Sequence, residues 1–172
     1  VETGTEYTRL IVVRGNSASG KSSVAAGIRA RCSSVAVVGQ DNMRRVVLGE
    51  RDRPGAANIG LIDTVARYAL NAGYHVVLEG ILYSDRYGDM LARLMDDHRG
   101  TSHGYYLNVP FAETLIRHAT KTRSGKFEYG ETELRAWYRD LDLLPDGTEI
   151  VIDGTNTLQD TVEGILADSG LG

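Results

Sequence analysis

Five short apolar runs, rich in β-branched residues, punctuate the chain: Leu10–Arg14, Val35–Val38, His75–Leu78, Gly104–Leu107 and Glu149–Ile152. None alternates apolar with polar in the way of a strand with one wet face. Near-continuous runs predict strands covered on both sides, and so an α/β fold around a parallel sheet. The intervals carry helical spacing. Ile59, Ile62, Val65, Ala66, Ala69 and Leu70 form one stripe, with Gly73 as its stop. Met90, Leu91, Leu94, Met95 and His98 form a second. Pro110 suits the first position of a third helix carrying Leu115 and Ile116, and Leu134, Trp137, Tyr138 and Leu141 mark a fourth. Thr157 and Asp160 have the spacing of a capping box ahead of Val162, Ile165 and Leu166. These stripes read as core. Two polar segments interrupt the pattern, Gly49–Asn58 and Lys121–Gly130, and both are expected to be mobile loops of the kind that cover substrates.

Composition narrows the class. The 172 residues suffice for one domain spanning 1–172 with a three-layer core, and 42% hydrophobic with 24% charged residues is ordinary globular usage. A net charge of −4 argues against a broad nucleic-acid footprint. No apolar run approaches the roughly 20 residues that span a bilayer. Val1–Thr8 is polar and shows no signal-peptide pattern. Cys32 is the only cysteine, so no internal disulfide forms, and a reducing cytoplasm is the expected location. Four scattered histidines and one cysteine make no metal-ligand cluster.

One motif carries chemistry. Gly15-Asn16-Ser17-Ala18-Ser19-Gly20-Lys21-Ser22 satisfies G-x-x-x-x-G-K-[ST] without mismatch, between a predicted strand and a predicted helix over Lys21–Arg31. Its glycines let successive backbone N–H groups turn inward onto phosphate oxygens, where the helix N-terminus adds positive potential. Gly15, Ser17, Ala18, Ser19, Gly20, Lys21, Ser22 and Ser23 are therefore the expected ATP-binding residues. Lys21 reaches the β- and γ-phosphates, and the Ser22 hydroxyl ligates Mg²⁺. Lys21 is expected to face solvent in the empty loop. A guanine-reading N/T-K-x-D segment is missing, and Asp85-Arg86-Tyr87-Gly88, which matches D-x-x-G, falls too far past the third strand to belong to a GTPase. An AAA⁺ or transporter ATPase normally needs more chain. The size favours a compact kinase.

Acceptor and lid residues follow from position. Asp41 lies after the second strand, near the phosphate loop, because ligands bind beyond the carboxyl ends of such strands. It can take the acceptor hydroxyl's proton or hold a water on Mg²⁺, and it can equally cap the next helix. Arg44 and Arg45, one turn later, can meet an anionic acceptor. Glu79 ends the third strand, in the place of a Walker-B acid, and is the next candidate base. Arg117 and Arg123 bracket the start of a lid at about 117–130. They suit neutralisation of the transferring phosphoryl group, with Arg117 alternatively packing over adenine. Asp153-Gly154-Thr155-Asn156 follows the last strand, and Thr155 and Asn156 are candidates for the adenine wall.

The pieces RGNSASGKSSVA, VVGQDNMRR, VVLEGIL, RHATKTR and VIDGTNTLQDTV resemble the group of P-loop kinases that includes zeta toxins and chloramphenicol phosphotransferase. The resemblance implies a three-layer α/β/α P-loop kinase fold, with a five-stranded parallel sheet in the order 2-3-1-4-5 and a flexible lid. It also implies that Asp41 is the base and that Arg117 and Arg123 contact ATP. The stretch FEYGETELRAWYRDLDLL is further similar to small bacterial kinases. The expected activity is transfer of the ATP γ-phosphate to a hydroxyl of a nucleoside, sugar or antibiotic. The alternatives are a kinase of a sugar nucleotide, an ATP-sensing regulator and a polynucleotide 5′-kinase.

Overall fold

The computed structural model describes residues 1–121 and 129–172. Its strands are β1 (Arg9–Gly15), β2 (Val35–Gly39), β3 (His75–Gly80), β4 (Thr101–Asn108) and β5 (Ile150–Asp153), forming one parallel sheet in the order β2-β3-β1-β4-β5. β1 is central, with Val13 level with Glu79 on one side and Tyr105 on the other. The helices are α1 (Lys21–Arg31), α2 (Ala57–Asn71), α3 (Ser84–Asp97), α4 (Phe111–Thr120), α5 (Glu131–Trp137) and α6 (Leu158–Ser169), and a π-helical segment, Asn42–Leu48, follows β2.

Alternation along the strands builds two cores. Leu10 and Val12 of β1, with Val76 and Leu78 of β3, face α2 and α3, where Ile62, Ala66, Leu70, Leu91 and Leu94 cover them. Ile11, Val13 and Val77 face the other way, onto Val24 and Ile28 of α1 and Val162 and Ile165 of α6. Each of these Val, Leu and Ile side chains contributes about 1.5–3 kcal/mol by leaving water. Thr157 caps α6 by accepting the Asp160 N–H at 3.0 Å. Among the described residues no helix is long and apolar enough to cross a membrane.

Several expectations change. α3 stops at Asp97, and His98 leaves the stripe to bond Thr8 Oγ1 and Ser102 Oγ, each at 2.9 Å. Pro110 stands just outside α4, which buries Thr114 and His118 while Ile116 points to solvent. The fourth stripe is not one helix. Tyr138 turns extended and Leu141 adopts a left-handed φ of 43°, so only Leu134 of that set is a buried helical residue. β5 is an edge strand whose Ile150 and Val151 are exposed, because only Ile152 meets the second core.

The Gly49–Asn58 segment is pinned by side chains. The Glu50 carboxylate accepts the N–H and the Nδ2 of Asn58, which is fully buried. Asp52 accepts the Tyr87 hydroxyl at 2.9 Å, and Gln40 Nε2 donates to the same hydroxyl at 2.9 Å. The accidental D-x-x-G match thus supplies, through Arg86 and Tyr87, the anchors of this loop.

Arg14 is the next-to-last residue of the central strand and has a fully buried side chain. Its Nε donates to Leu82 O at 3.0 Å, Nη1 to both Glu149 oxygens at 2.8 and 3.0 Å, and Nη2 to Asp142 O at 2.8 Å. Arg14→Ala would strand the buried Glu149 carboxylate, a change that costs about 3–5 kcal/mol. Urea unfolding is expected to show a loss of that size, and a midpoint near wild type would refute the brace.

Candidate functional site

The phosphate loop occupies the turn from β1 into α1. Gly15 has φ 154°, and a side chain there would sit 2.8 Å from Ser19 Oγ and 2.9 Å from Leu107 O, so no larger residue fits. Ala18 adopts φ 63° and Gly20 φ 100°, which turns the chain so that α1 begins at Lys21 with its first-turn N–H groups lacking intrahelical acceptors. Contrary to the solvent-facing expectation, Lys21 is buried. Its Nζ folds back to donate to Asn16 O at 2.8 Å. Burial pushes its pKa down to about 8, against the opposing pull of Glu79 and then Asp41.

Three cavities adjoin one another across the carboxyl ends of the strands. The middle one, about 80 Å³, is lined by Ser17, Ala18, Gly20, Lys21, Ser22 and Ser23 of the loop together with Asp41, Arg45 and Glu79. Toward β5 it shares Ala18, Gly20, Ser23 and Lys121 with a cavity of about 420 Å³ that continues to Leu107, Ile152, Gly154 and Asn156. Toward β2 it shares Arg45, Ile81, Tyr129 and Trp137 with a cavity of about 790 Å³. Pockets of a few hundred to a thousand Å³ are the size that small ligands fill.

Two carboxylates flank the middle cavity. Glu79 is nearly buried, and desolvation raises its pKa while Lys21 pulls it down. Ser22 Oγ donates to Glu79 Oε1 at 3.3 Å. Asp41 is the opposite case, with a carboxylate 72% exposed, 3.4 Å from Arg44 and 3.6 Å from Arg45. It sits at the start of the π-helical segment but makes no side-chain capping bond, so the capping role weighed for it is not what its side chain does. Gly80 is required beside them, because a Cβ there would lie 2.6 Å from Gln40 Cβ. Among the described residues no three His, Cys, Asp or Glu side chains converge as a metal site. Ser22 Oγ, with Glu79 behind it, could hold a divalent cation together with phosphate oxygens, a set with few protein ligands that suits Mg²⁺.

Arg117 lies on the β5 side. Its Nη1 donates to Ser19 O at 3.1 Å and its Nη2 to Gly154 O at 2.9 Å, so it ties the phosphate loop to the turn after β5. Asn156 lines the cavity there. Thr155 does not: its N–H turns to the Asp153 carboxylate at 2.9 Å, and it faces none of the three cavities. Arg44 lines the large cavity alone, and Arg45 both it and the phosphate pocket. Arg123, and with it half of the expected lid, residues 122–128, lies outside the described residues.

Sequence reasoning missed the wall of the large cavity. Tyr129 reaches Ser17 Oγ at 3.2 Å and meets Trp137 edge to face at 5.0 Å, and the Arg45 guanidinium lies over both rings, 5.7 and 5.8 Å from their centroids. Asn16 and Arg139 exchange two bonds, 2.7 and 2.9 Å, fastening the segment after α5 to the phosphate loop. Trp137 reads as core from the sequence because it falls on an apolar stripe. The conflicting signal was its setting among arginines.

The fold has known counterparts. A sugar kinase from Janibacter sp. HTCC2649 superposes with a TM-score of 0.69 at 20% identity, over 96% of each chain. The APS kinase of Mycobacterium tuberculosis, solved with AMPPNP and APS, gives 0.70 at 17% identity, covering 97% of this chain and 98% of that one. A tunicamycin resistance protein from Deinococcus radiodurans gives 0.66 at 20% identity, covering 96% and 97%. At these identities the likeness establishes the shared architecture, a P-loop kinase fold. No curated protein matches the chain. The sequence profile of the family described as AAA domain matches residues 10–144, from the central strand through the phosphate loop to the segment after α5, and the chain belongs to that family.

Proposed function

We propose that this protein transfers the γ-phosphoryl group of ATP to a hydroxyl of a small molecule held in the large cavity. The observation that carries the reading is the row of three cavities, with the phosphate loop in the middle one. A regulator that only senses ATP has no need of a second large cavity opening onto its phosphate pocket. The resemblance to zeta toxins and chloramphenicol phosphotransferase supports the same chemistry, and the size of the large cavity also suits a sugar nucleotide.

On this reading the nucleoside lies in the cavity toward β5, against Gly154 and Asn156. Arg117 lines and braces that side, where it can contact ATP. The loop N–H groups and Lys21 hold the phosphates, with Lys21 leaving Asn16 O as they enter. Mg²⁺, when bound, spreads the phosphate charge and lines up the displacement. Asp41 is the base. It is accessible and held by arginines, so it can accept the proton of the acceptor hydroxyl as the oxygen attacks. Glu79 holds Ser22 in place from behind. Arg123 supplies a lid cation as phosphoryl transfer proceeds.

Asp41→Asn keeps the size of the side chain and removes the proton acceptor. An acceptor-dependent ADP-release assay is expected to show turnover lowered by roughly 10²–10⁴ with the ATP KM nearly unchanged. Normal turnover in this variant, with turnover lost in Glu79→Gln, would transfer the role to Glu79.

Lys21 sets a pH signature. With its free-state pKa near 8, the lysine is charged below that pH and neutral above it. Bound phosphates hold the proton on, so nucleotide binding takes up a proton above pH 8. Affinity for Mg·ATP is expected to be flat below pH 8 and to fall by up to about tenfold per pH unit above it. Calorimetry in buffers of different ionisation enthalpy reads the proton uptake directly. Lys21→Arg should abolish the slope, and an unchanged slope in that variant would show that another group controls it. Lys21→Ala should lose turnover altogether, and wild-type-like phosphorylation by it would sink the phosphate-loop assignment.

A further inference from the structure

Arg14 shows what a satisfied guanidinium looks like in this protein, with all three of its nitrogens bonded to acceptors. The arginines around the large cavity differ. Arg44 donates to Glu50 O at 3.1 Å and, at a long 3.4 Å, to the exposed Asp41. Arg86 donates to Asp52 O at 3.2 Å, with the Asp52 carboxylate 3.6 Å away. In both, Nε is buried with no acceptor among the described residues. A buried donor left without a partner costs about 1–3 kcal/mol, more on a charged group, and a protein keeps such a group where something else completes it. Arg51 lines the same cavity, exposed, with neither ion pair nor hydrogen bond among the described residues.

The carboxylates that line the cavity are shared with other groups: Glu50 is taken by Asn58, Asp52 serves Tyr87 as well as Arg86, and Glu133 accepts the Gly130 N–H at 2.9 Å, while Arg139 pairs with Asp85 at 2.8 Å. Five arginines line the cavity against three acids, although the chain as a whole carries a net charge of −4. The arrangement is also held in advance. The Tyr83 ring carries the Arg86 guanidinium 5.1 Å and the Arg139 guanidinium 3.8 Å from its centroid. Arg51, Arg86 and Arg139 line the large cavity and not the phosphate pocket, so loop-bound phosphates do not account for them.

We infer that the acceptor carries an anionic oxyacid group, a carboxylate or a sulfate or phosphate ester, and that Arg44, Arg51 and Arg86 receive it at the part of the cavity beyond Arg45. This rests on the reading of the large cavity as the acceptor site. Guanidinium forks suit planar and tetrahedral oxyanions alike, and the anion would fix the acceptor with its hydroxyl toward Asp41.

Trp137, the only tryptophan, lines the cavity and reports on it. The test titrates sulfate into protein saturated with Mg·AMPPNP, at constant ionic strength, and follows Trp137 fluorescence. A saturable response is expected. It should be weakened roughly tenfold in Arg86→Gln and in Arg51→Gln, the loss of one charge-assisted contact. Arg31→Gln, at the far end of α1, should stay within twofold of wild type. Arg51 is exposed and unpaired among the described residues, so its variant keeps the fold even where Arg86→Gln loosens the loop at Asp52. Acetate in place of sulfate tells a carboxylate from a tetrahedral group. A response that does not saturate, that is equal in all variants, or that vanishes once AMPPNP fills the phosphate loop overturns the inference. Failure of AMPPNP to bind instead strikes the kinase reading, and the arginine variants then still separate the two anion sites.

Discussion

The molecule is organised around a guanidinium that water does not reach. Arg14 stands at the end of the central strand, one residue before the phosphate loop, and its partners lie 68, 128 and 135 residues away in sequence. A buried arginine must find acceptors in the fold, and here those acceptors are the turn after β3, the segment after α5 and the approach to β5. Leu82, whose carbonyl takes the Nε bond, is itself held in a left-handed conformation at φ 42°, with its N–H on Gln40 Oε1 at 3.0 Å. Asp142 accepts from Arg14 and also takes the backbone N–H and hydroxyl of Ser84 at the start of α3. One cation thereby sets the position of Ile81 and Tyr83, two residues of the large cavity, relative to the phosphate loop.

Around that brace the site divides its charges by solvent access. Lys21 and Glu79 are buried together, each shifted toward its neutral form by desolvation and each drawn back by the other. Asp41 keeps its carboxylate in water beside two arginines. On the proposed function the same residue types under different burial take different parts: the buried pair would meet the incoming phosphate, and the exposed acid, held by its arginines, would meet the acceptor. The parallel sheet makes this possible, because β1, β2 and β3 deliver the loop, Asp41 and Glu79 to one edge.

Misread elements share one physical cause. Trp137 and Tyr138 carry helical spacing, yet the helix stops between them and the indole lines the cleft beside Arg45. The Gly49–Asn58 segment looks like a solvated loop by composition, yet Glu50 and Asp52 are spent on Asn58, Tyr87 and Arg86, while Arg51 and Arg53 do stay exposed. Apolar periodicity reports which side chains avoid water. It does not report whether the shelter is a core, a cavity wall or a stacked guanidinium.

What the sequence by itself determined is what local rules govern. Continuous β-branched runs demanded a covered parallel sheet, and G-x-x-x-x-G-K-S between strand and helix demanded a phosphate nest. The helix stop at Gly73 and the cap at Thr157 are likewise short-range and were legible. Only the tertiary structure decided which distant groups meet. The coulombic coupling of Lys21 to Glu79, the bond from Ser22 to Glu79, the tie of Arg117 across to Gly154 and the gathering of Arg44 and Arg51 with Arg86 around one cavity all join segments far apart in the chain. Spacing along a chain fixes the neighbours within a helix or strand. Desolvation and charge pairing depend on neighbours in space, and those exist only once the sheet has closed.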